Sequence, residues 1–223
     1  MIYFALIGDL IDSKKLDNRY HVQKKLEECL KTINQKYGTF IVSQFSITLG
    51  DEFQALLSTE APLFHLIDDI ILALKPIQIR FGIGLGEIVT DINPELSIGA
   101  DGPAYWLARK AINNIHQNND YGNTQMAVAL EDILKAEQIN AILAAGEAIK
   151  ADWRASQELV FETALDMDIY DEHFDQQELG QRLGLNASAL SKRLKSSSLK
   201  VYFRTRKTAL AMLQESLKEE SND

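Results

Sequence analysis

The chain has 223 residues, 46% hydrophobic and 25% charged, and its 23 Lys and Arg against 32 Asp and Glu give a formal net charge of −9. This describes a globular chain long enough for one sizeable domain plus a small one, and the negative sum argues against nucleic-acid binding over the whole surface. No apolar run approaches the ~20 residues that a membrane span needs. The start lacks the basic region and cleavage site of a signal peptide, and a cytoplasmic protein with no membrane partner is expected. Cys29 is the only cysteine, which excludes an internal disulfide and a multi-thiolate zinc site. It lies on the apolar side of a helical pattern and reads as a small core filler.

Ile2 to Ile7 is almost continuously apolar, the pattern of a strand covered on both faces. It runs into Gly8-Asp9-Leu10-Ile11-Asp12-Ser13-Lys14-Lys15, so a buried strand delivers a carboxylate at its C-terminal end. Val22, Leu26, Leu30, Ile33 and Tyr37 then recur at helical spacing up to Gly38. Phe40 to Thr48 predicts a second strand and Gln54 to Leu57 a third, with Gly50-Asp51-Glu52-Phe53 at the hairpin tip between them. Pro62 opens a second helix whose buried stripe is Leu63, Ile67, Ile70 and Leu74. Ile77, Ile79, Phe81, Ile83 and Leu85 alternate with Gln78, Arg80, Gly82 and Gly84, a strict period of two. The small alternate residues point to close approach by a ligand or by another backbone. Asp101 and Pro103 start a third helix buried through Ala104, Leu107, Ala108, Ala111 and Ile115, and Thr124 to Leu130 makes a fifth strand. The order βαββαβαβ predicts an α/β (α+β) fold, a ferredoxin-like βαββαβ core with an extra helix and strand.

An acidic hairpin tip by itself is accounted for as a solvated turn, because Gly, Asp and Glu suit turns. Here a second carboxylate, Asp9, ends a neighbouring strand. Two such strand-end carboxylates can converge on a hard divalent cation, and Mg²⁺ takes one or two carboxylates, water and substrate phosphates. Asp9 and Asp51 are the natural pair, with Asp12 and Glu52 in reserve.

From Glu131 onward the spacing is helical, and the domain boundary falls near residue 150, dividing the chain into 1–150 and 151–223. Gln176 to Lys195 predicts a helix-turn-helix inside an all-helical C-terminal domain. Leu179 and Leu183 bury the first helix, Gly184 allows the turn, Asn186 caps the second helix, and Leu190 and Leu194 bury it. Ser188, Ser191, Lys192 and Lys195 then face outward, with Arg193 beside them. Arg182, Lys192, Arg193, Lys195, Lys200, Arg204, Arg206 and Lys207 follow one another with no Asp or Glu between them, a localised basic surface suited to double-stranded DNA. A solvated basic face or a protein-docking helix pair would carry the same pattern.

The strand-end Asp9, the Gly50-Asp51-Glu52-Phe53 hairpin, and Gly82-Ile83-Gly84 followed by Ala100-Asp101 and Ala104-Tyr105 to Arg109-Lys110 resemble the palm domain of GGDEF and class III nucleotidyl cyclases. Over the whole chain the match is closer to the SatD family, which joins such a palm to a C-terminal helix-turn-helix. The resemblance implies that Asp9 and Asp51 hold Mg²⁺ or Mn²⁺, helped by the backbone carbonyl of Leu10, with Glu52 as a supporting carboxylate. It implies that Gly50 leaves room for a base, that Ser13 and Lys14 assist a phosphate cradle, and that Arg109 or Lys110 reaches a nucleoside triphosphate. It also implies a homodimer with the triphosphate between two palms. Leu49 replaces the first Gly of the GGDEF pattern, Ile47 stands where adenylyl cyclases carry a base-selecting Lys, and Trp106 falls where a ribose-orienting Asn is expected. Two functions therefore stand side by side: a nucleotide- and Mg²⁺-binding regulator that binds DNA, and a metal-dependent nucleotidyl cyclase or transferase whose C-terminal domain only docks it. A palm used purely as a dimerisation scaffold is the third.

Overall fold

The computed structural model describes residues 1–12, 18–48, 50–117 and 122–220. Its elements in chain order are β1 (Ile2–Leu10), α1 (Arg19–Lys36), β2 (Ile41–Ile47), β3 (Glu52–Leu57), α2 (Leu63–Leu74), β4 (Ile79–Glu87), α3 (Pro103–Gln117), β5 (Met126–Ala129), α4 (Ile133–Ala151), α5 (Ala155–Asp166), α6 (Gln176–Arg182), α7 (Ala187–Ser197) and α8 (Leu199–Glu220). The strands form one sheet in the order β2-β3-β1-β4-β5. The first four strands pair antiparallel, in the order of a ferredoxin-like βαββαβ unit, and β5 adds parallel to β4 after the α3 crossover.

The first strand is longer than its apolar run. The ladder continues through Asp9, which lies opposite Glu52 on one side and Arg80 on the other, and Leu10 still pairs with Ile79. Asp9 is therefore part of the sheet, not of the turn after it. Alternation then sends side chains to two faces. Phe4, Leu6, Phe53, Phe81 and Ile83 join the large core beneath α1, α2, α4 and the second half of α8. Ala5, Ile7 and Leu56 face α3.

Of the two occupants that the glycine alternation of β4 allows, the structure shows a backbone. A Cβ at Gly82 would lie 2.3 Å from the Ala108 carbonyl oxygen, and one at Gly84 would lie 2.1 Å from that of Ala104. Helix α3 rests directly on β4, and only glycine permits that approach. Cys29 is buried in the large core, and burial pushes its thiol up to about 11, as suits a packing residue.

Both edges of the sheet are closed by an asparagine. Asn34 on α1 accepts from Phe45 N–H at 2.9 Å and donates to the Phe45 carbonyl at 3.3 Å. Asn140 on α4 does the same to Val128 on β5, at 2.8 and 2.9 Å. Each carboxamide acts as a short extra strand and removes edge groups that could pair with another chain.

The expected boundary near residue 150 falls in the last turn of α4. Helices α5 to α7 and the start of α8 share a second core built on Trp153, Phe161, Leu179, Leu190, Tyr202 and Phe203. The 22-residue α8 then continues, and its Ala209 and Leu213 enter the core of the sheet. Between the two cores sits Asp68 of α2, 0% exposed. It accepts from Lys150 Nζ at 2.6 Å, Tyr170 Oη at 2.5 Å and Tyr202 Oη at 2.7 and 2.9 Å. Arg206 donates to Tyr202 Oη at 3.1 Å and pairs with Glu147.

The burial of Asp68 works against its charge, but Lys150 and Arg206 hold its carboxyl below the ordinary 3.8. Removing one partner of such a buried network strands the others. Asp68→Ala should therefore cost about 3–5 kcal/mol in urea unfolding at neutral pH. A loss below about 1 kcal/mol, the worth of a solvated pair, would show that the network is not structural.

Candidate functional site

At the end of β1 the register sets Glu52, Asp9 and Arg80 side by side across three strands. Residues paired in register project to the same face, and this row shares the face that α3 covers. The glycine stripe brings α3 down onto β4, and α3 adds Arg109 and His116, seven residues apart and so on one helix side.

Arg109 grips Glu52 through both nitrogens, Nη1 to Oε2 at 2.5 Å and Nη2 to Oε1 at 2.7 Å. Thr48 Oγ1 also donates to Glu52 Oε1, at 3.1 Å. The Arg109 hydrogen bonds hold the Glu52 carboxyl below its usual range despite partial burial. Asp9 behaves in the opposite way. Burial raises its pKa, His116 and Arg80 pull it back, and the neighbouring Asp51 and Glu52 carboxylates push it further up. Arg80 Nη1 and His116 Nε2 each lie 3.5 Å from Asp9 Oδ2.

Asp51 sits on the other flank of the strand end. Its carbonyl accepts from Leu10 N–H at 3.0 Å, which ties the hairpin tip to β1. With Leu10, Arg19, Tyr20, Val22, Gln23 and Gly50 it lines an open cleft of about 340 Å³. Gly50 has a φ of +78°, a conformation that favours glycine, and the space where a Cβ would stand is open. Among the described residues no three His, Cys, Asp or Glu side chains gather as a multi-ligand metal centre. Lys110 is exposed, and it is Arg109 that reaches the hairpin. Ser13, Lys14 and Leu49 lie outside the described residues. Trp106 is 57% exposed and donates to Asp101 Oδ1 at 2.7 Å.

Arg80 and His116 are absent from the sequence-based candidates. Two signals pointed to them: Arg80 is a charge on a strand face otherwise made of glycines, and His116 follows Arg109 at i+7.

At the other end of the chain, Asn186 caps α7 by accepting from Ala189 N–H at 2.9 Å, and Gly184 has a φ of +63° in the turn before it. Leu190 and Leu194 are buried, Ser188, Ser191, Lys192 and Lys195 are exposed, and Arg193 is half-buried. The basic stretch is smaller than its sequence count. Arg206 is only 1% exposed and lies in the buried network with Glu147. Arg204 pairs with Glu172 and Lys207 with Asp171. Arg206 is inward because it falls on the buried stripe Leu199, Tyr202, Phe203, Ala209 and Leu213 of α8.

The Glu52–Arg109 pair gives a signed pH test. Glu52 has a depressed folded-state pKa, so its contribution is present above its ordinary 4.5 and is lost as pH falls through the folded value. Glu52→Gln should lower stability by about 1 kcal/mol at pH 7, the pair being partly solvated. In urea unfolding the gap from the parent should shrink as pH falls below 4.5. A gap that stays constant with pH would show that the carboxylate charge is not what Arg109 reads.

No curated protein matches the chain. Among solved structures it is similar to the catalytic core of a rhodopsin-guanylyl cyclase with converted specificity in complex with ATPalphaS (18% identity, 50% of this chain, 71% of that one, TM-score 0.37). It is also similar to two structures of a bacterial light-regulated adenylyl cyclase, one at 19% identity over 52% of this chain and 71% of that one (TM-score 0.40). The other shares 17% identity over 53% of this chain and 41% of that one (TM-score 0.41). The sequence profile of the SatD family, by contrast, matches residues 3–213. That is nearly the whole chain, and the protein belongs to the SatD family.

Proposed function

We propose that this chain is a nucleotide-responsive, DNA-binding regulator, with a phosphate- and metal-binding site at the end of β1 and a DNA-reading helix in α7. The observation that carries the first half is the charged row Glu52–Asp9–Arg80 beneath Arg109 and His116. It places carboxylates and fixed cations together at a strand end, beside the cleft that Asp51 and Gly50 line. Arginine suits phosphate because its planar fork binds two oxygens at once.

The donor chemistry fits a hard divalent cation. Burial raises the Asp9 pKa and Asp51 lies near enough to push it further, so a cation held between the two carboxylates would relieve their mutual repulsion. Asp9, Asp51 and the Leu10 carbonyl would hold Mg²⁺ or Mn²⁺, which would neutralise phosphate charge. Arg109 would exchange its hold on Glu52 for the phosphate chain, and the cleft near Gly50 would take the nucleoside.

For the second half, α6 and α7 have the lengths, turn and caps of a helix-turn-helix, and α7 shows Ser188, Ser191, Lys192 and Lys195 to solvent. A homodimer would present two such helices to half-sites about 34 Å apart. The enzyme reading, a nucleotidyl cyclase or transferase, draws its support from Arg109, a cation poised beside the same carboxylates. Ile47 and Trp106 at the positions expected for base and ribose recognition favour the regulator.

Calorimetry with nucleoside triphosphates and Mn²⁺ should detect binding that Asp9→Ala and Asp51→Ala weaken at least tenfold. Duplex DNA should bind with a salt slope no steeper than about −4.5 per protomer engaged, because Arg182, Lys192, Arg193, Lys195 and Lys200 leave five cations at roughly 0.9 each. Lys192→Glu with Lys195→Glu should abolish DNA binding and leave nucleotide binding intact. Absence of salt-sensitive DNA binding would sink the regulator, and conversion of the nucleotide to a cyclic or linear product would establish the enzyme.

A further inference from the structure

We propose that Arg80 and His116 keep Asp9 occupied in the free protein, so that a divalent cation gains Asp9 only together with a phosphate-bearing ligand that draws these side chains away. The proposal rests on the nucleotide–metal reading of the site and adds an order of assembly to it.

The geometry is specific. Arg80 comes from β4 and His116 from α3, and both reach the same oxygen, Asp9 Oδ2. The side chains of Arg80 and Asp9 are 19% and 20% exposed, so their attraction is screened less than that of a solvated pair. A guanidinium is a fixed charge with a planar fork of donors. Across the row, Glu52 is held in the same manner by Arg109. A metal ion arriving alone would therefore meet a fixed guanidinium at Asp9 and would be repelled by it.

A polyphosphate changes that balance. It offers the guanidinium oxygen acceptors with more charge than one carboxylate, and it brings ligand oxygens for the metal at the same time. Once Arg80 turns to phosphate, Asp9 Oδ2 is free to bind the cation. Metal and phosphate would then bind with positive coupling, each improving the other's affinity by the same factor. Arg80 is a positioning residue in this scheme, acting on the metal through Asp9.

The test uses the full-length chain, with Mn²⁺ followed by its paramagnetic resonance signal and inorganic tripolyphosphate as the phosphate probe. For Mn²⁺ alone, Arg80→Gln should bind about tenfold more tightly than the parent, and Arg80→Lys should stay close to it. For tripolyphosphate saturated with Mn²⁺, Arg80→Gln should bind more weakly than the parent. A residue that served only to stabilise the fold would not move the two affinities in opposite directions. Adding Asp9→Asn to Arg80→Gln should remove the gain for Mn²⁺. His116→Gln, at a side chain 46% exposed, should shift both affinities in the same directions by a smaller factor, and it carries the test if Arg80→Gln does not fold. If the parent binds Mn²⁺ and tripolyphosphate and the variants match it, this proposal is overturned while the site reading stands. If no protein binds either probe, the site reading fails and this proposal fails with it.

Discussion

A fully buried carboxylate, Asp68, is the constraint on which the rest of the structure depends. A charge taken out of water costs several kcal/mol unless its partners are fixed in place. The partners here come from three distant parts of the chain: Lys150 at the end of α4, Tyr170 after α5 and Tyr202 on α8. All three must be placed before α2 can lie against the sheet with Asp68 ionised. Arg206 and Glu147 extend the same network, and α8 carries it from the second core to the core of the sheet. Motion of α7 relative to the sheet must therefore pass through α8, pass through the contacts of α5 with α2, or break the network.

The charged site at the far end of β1 depends on a different geometric condition. The antiparallel register alone sets Glu52, Asp9 and Arg80 in one row. Glycines at 82 and 84 then let α3 descend far enough for Arg109 and His116 to reach that row. Larger residues on that strand face would lift the helix and separate Arg109 and His116 from the carboxylates. The same packing thus builds the core above Ala5 and Ile7 and assembles the site beside it.

Periodicity made the sheet legible. The continuous run from Ile2, the residues after the Gly50-Asp51 turn and the period-two alternation from Ile79 to Leu85 form strands, while Ile77 and Gln78 stay outside β4. What spacing could not show was which face a charge takes. Arg204, Arg206 and Lys207 were counted with the basic surface, yet one is buried and two are paired with Glu172 and Asp171. Asp68 sits beside Ile67 on an amphipathic helix, and nothing local distinguishes it from a solvated aspartate. Its partners lie 82, 102 and 134 residues away. Arg80 and His116 do carry local signals, yet their shared target, Asp9, is set by register and by a helix crossing. Asp9 was legible as a strand-end carboxylate, while its place inside the ladder became visible only with Glu52 and Arg80 on either side.

A network that joins the two cores through Asp68 and α8 makes the sheet and the C-terminal helices one cooperative body. Native-state hydrogen exchange in increasing urea tests it most directly, because it reads the opening energy of each segment separately. The slowest amides of β1 and β4 and those of α5 and α8 should merge into a single global isotherm, and Asp68→Ala should split them. If α5 and α8 open through a separate, lower-energy step in the parent while the sheet stays protected, the two halves are independent and the account is wrong.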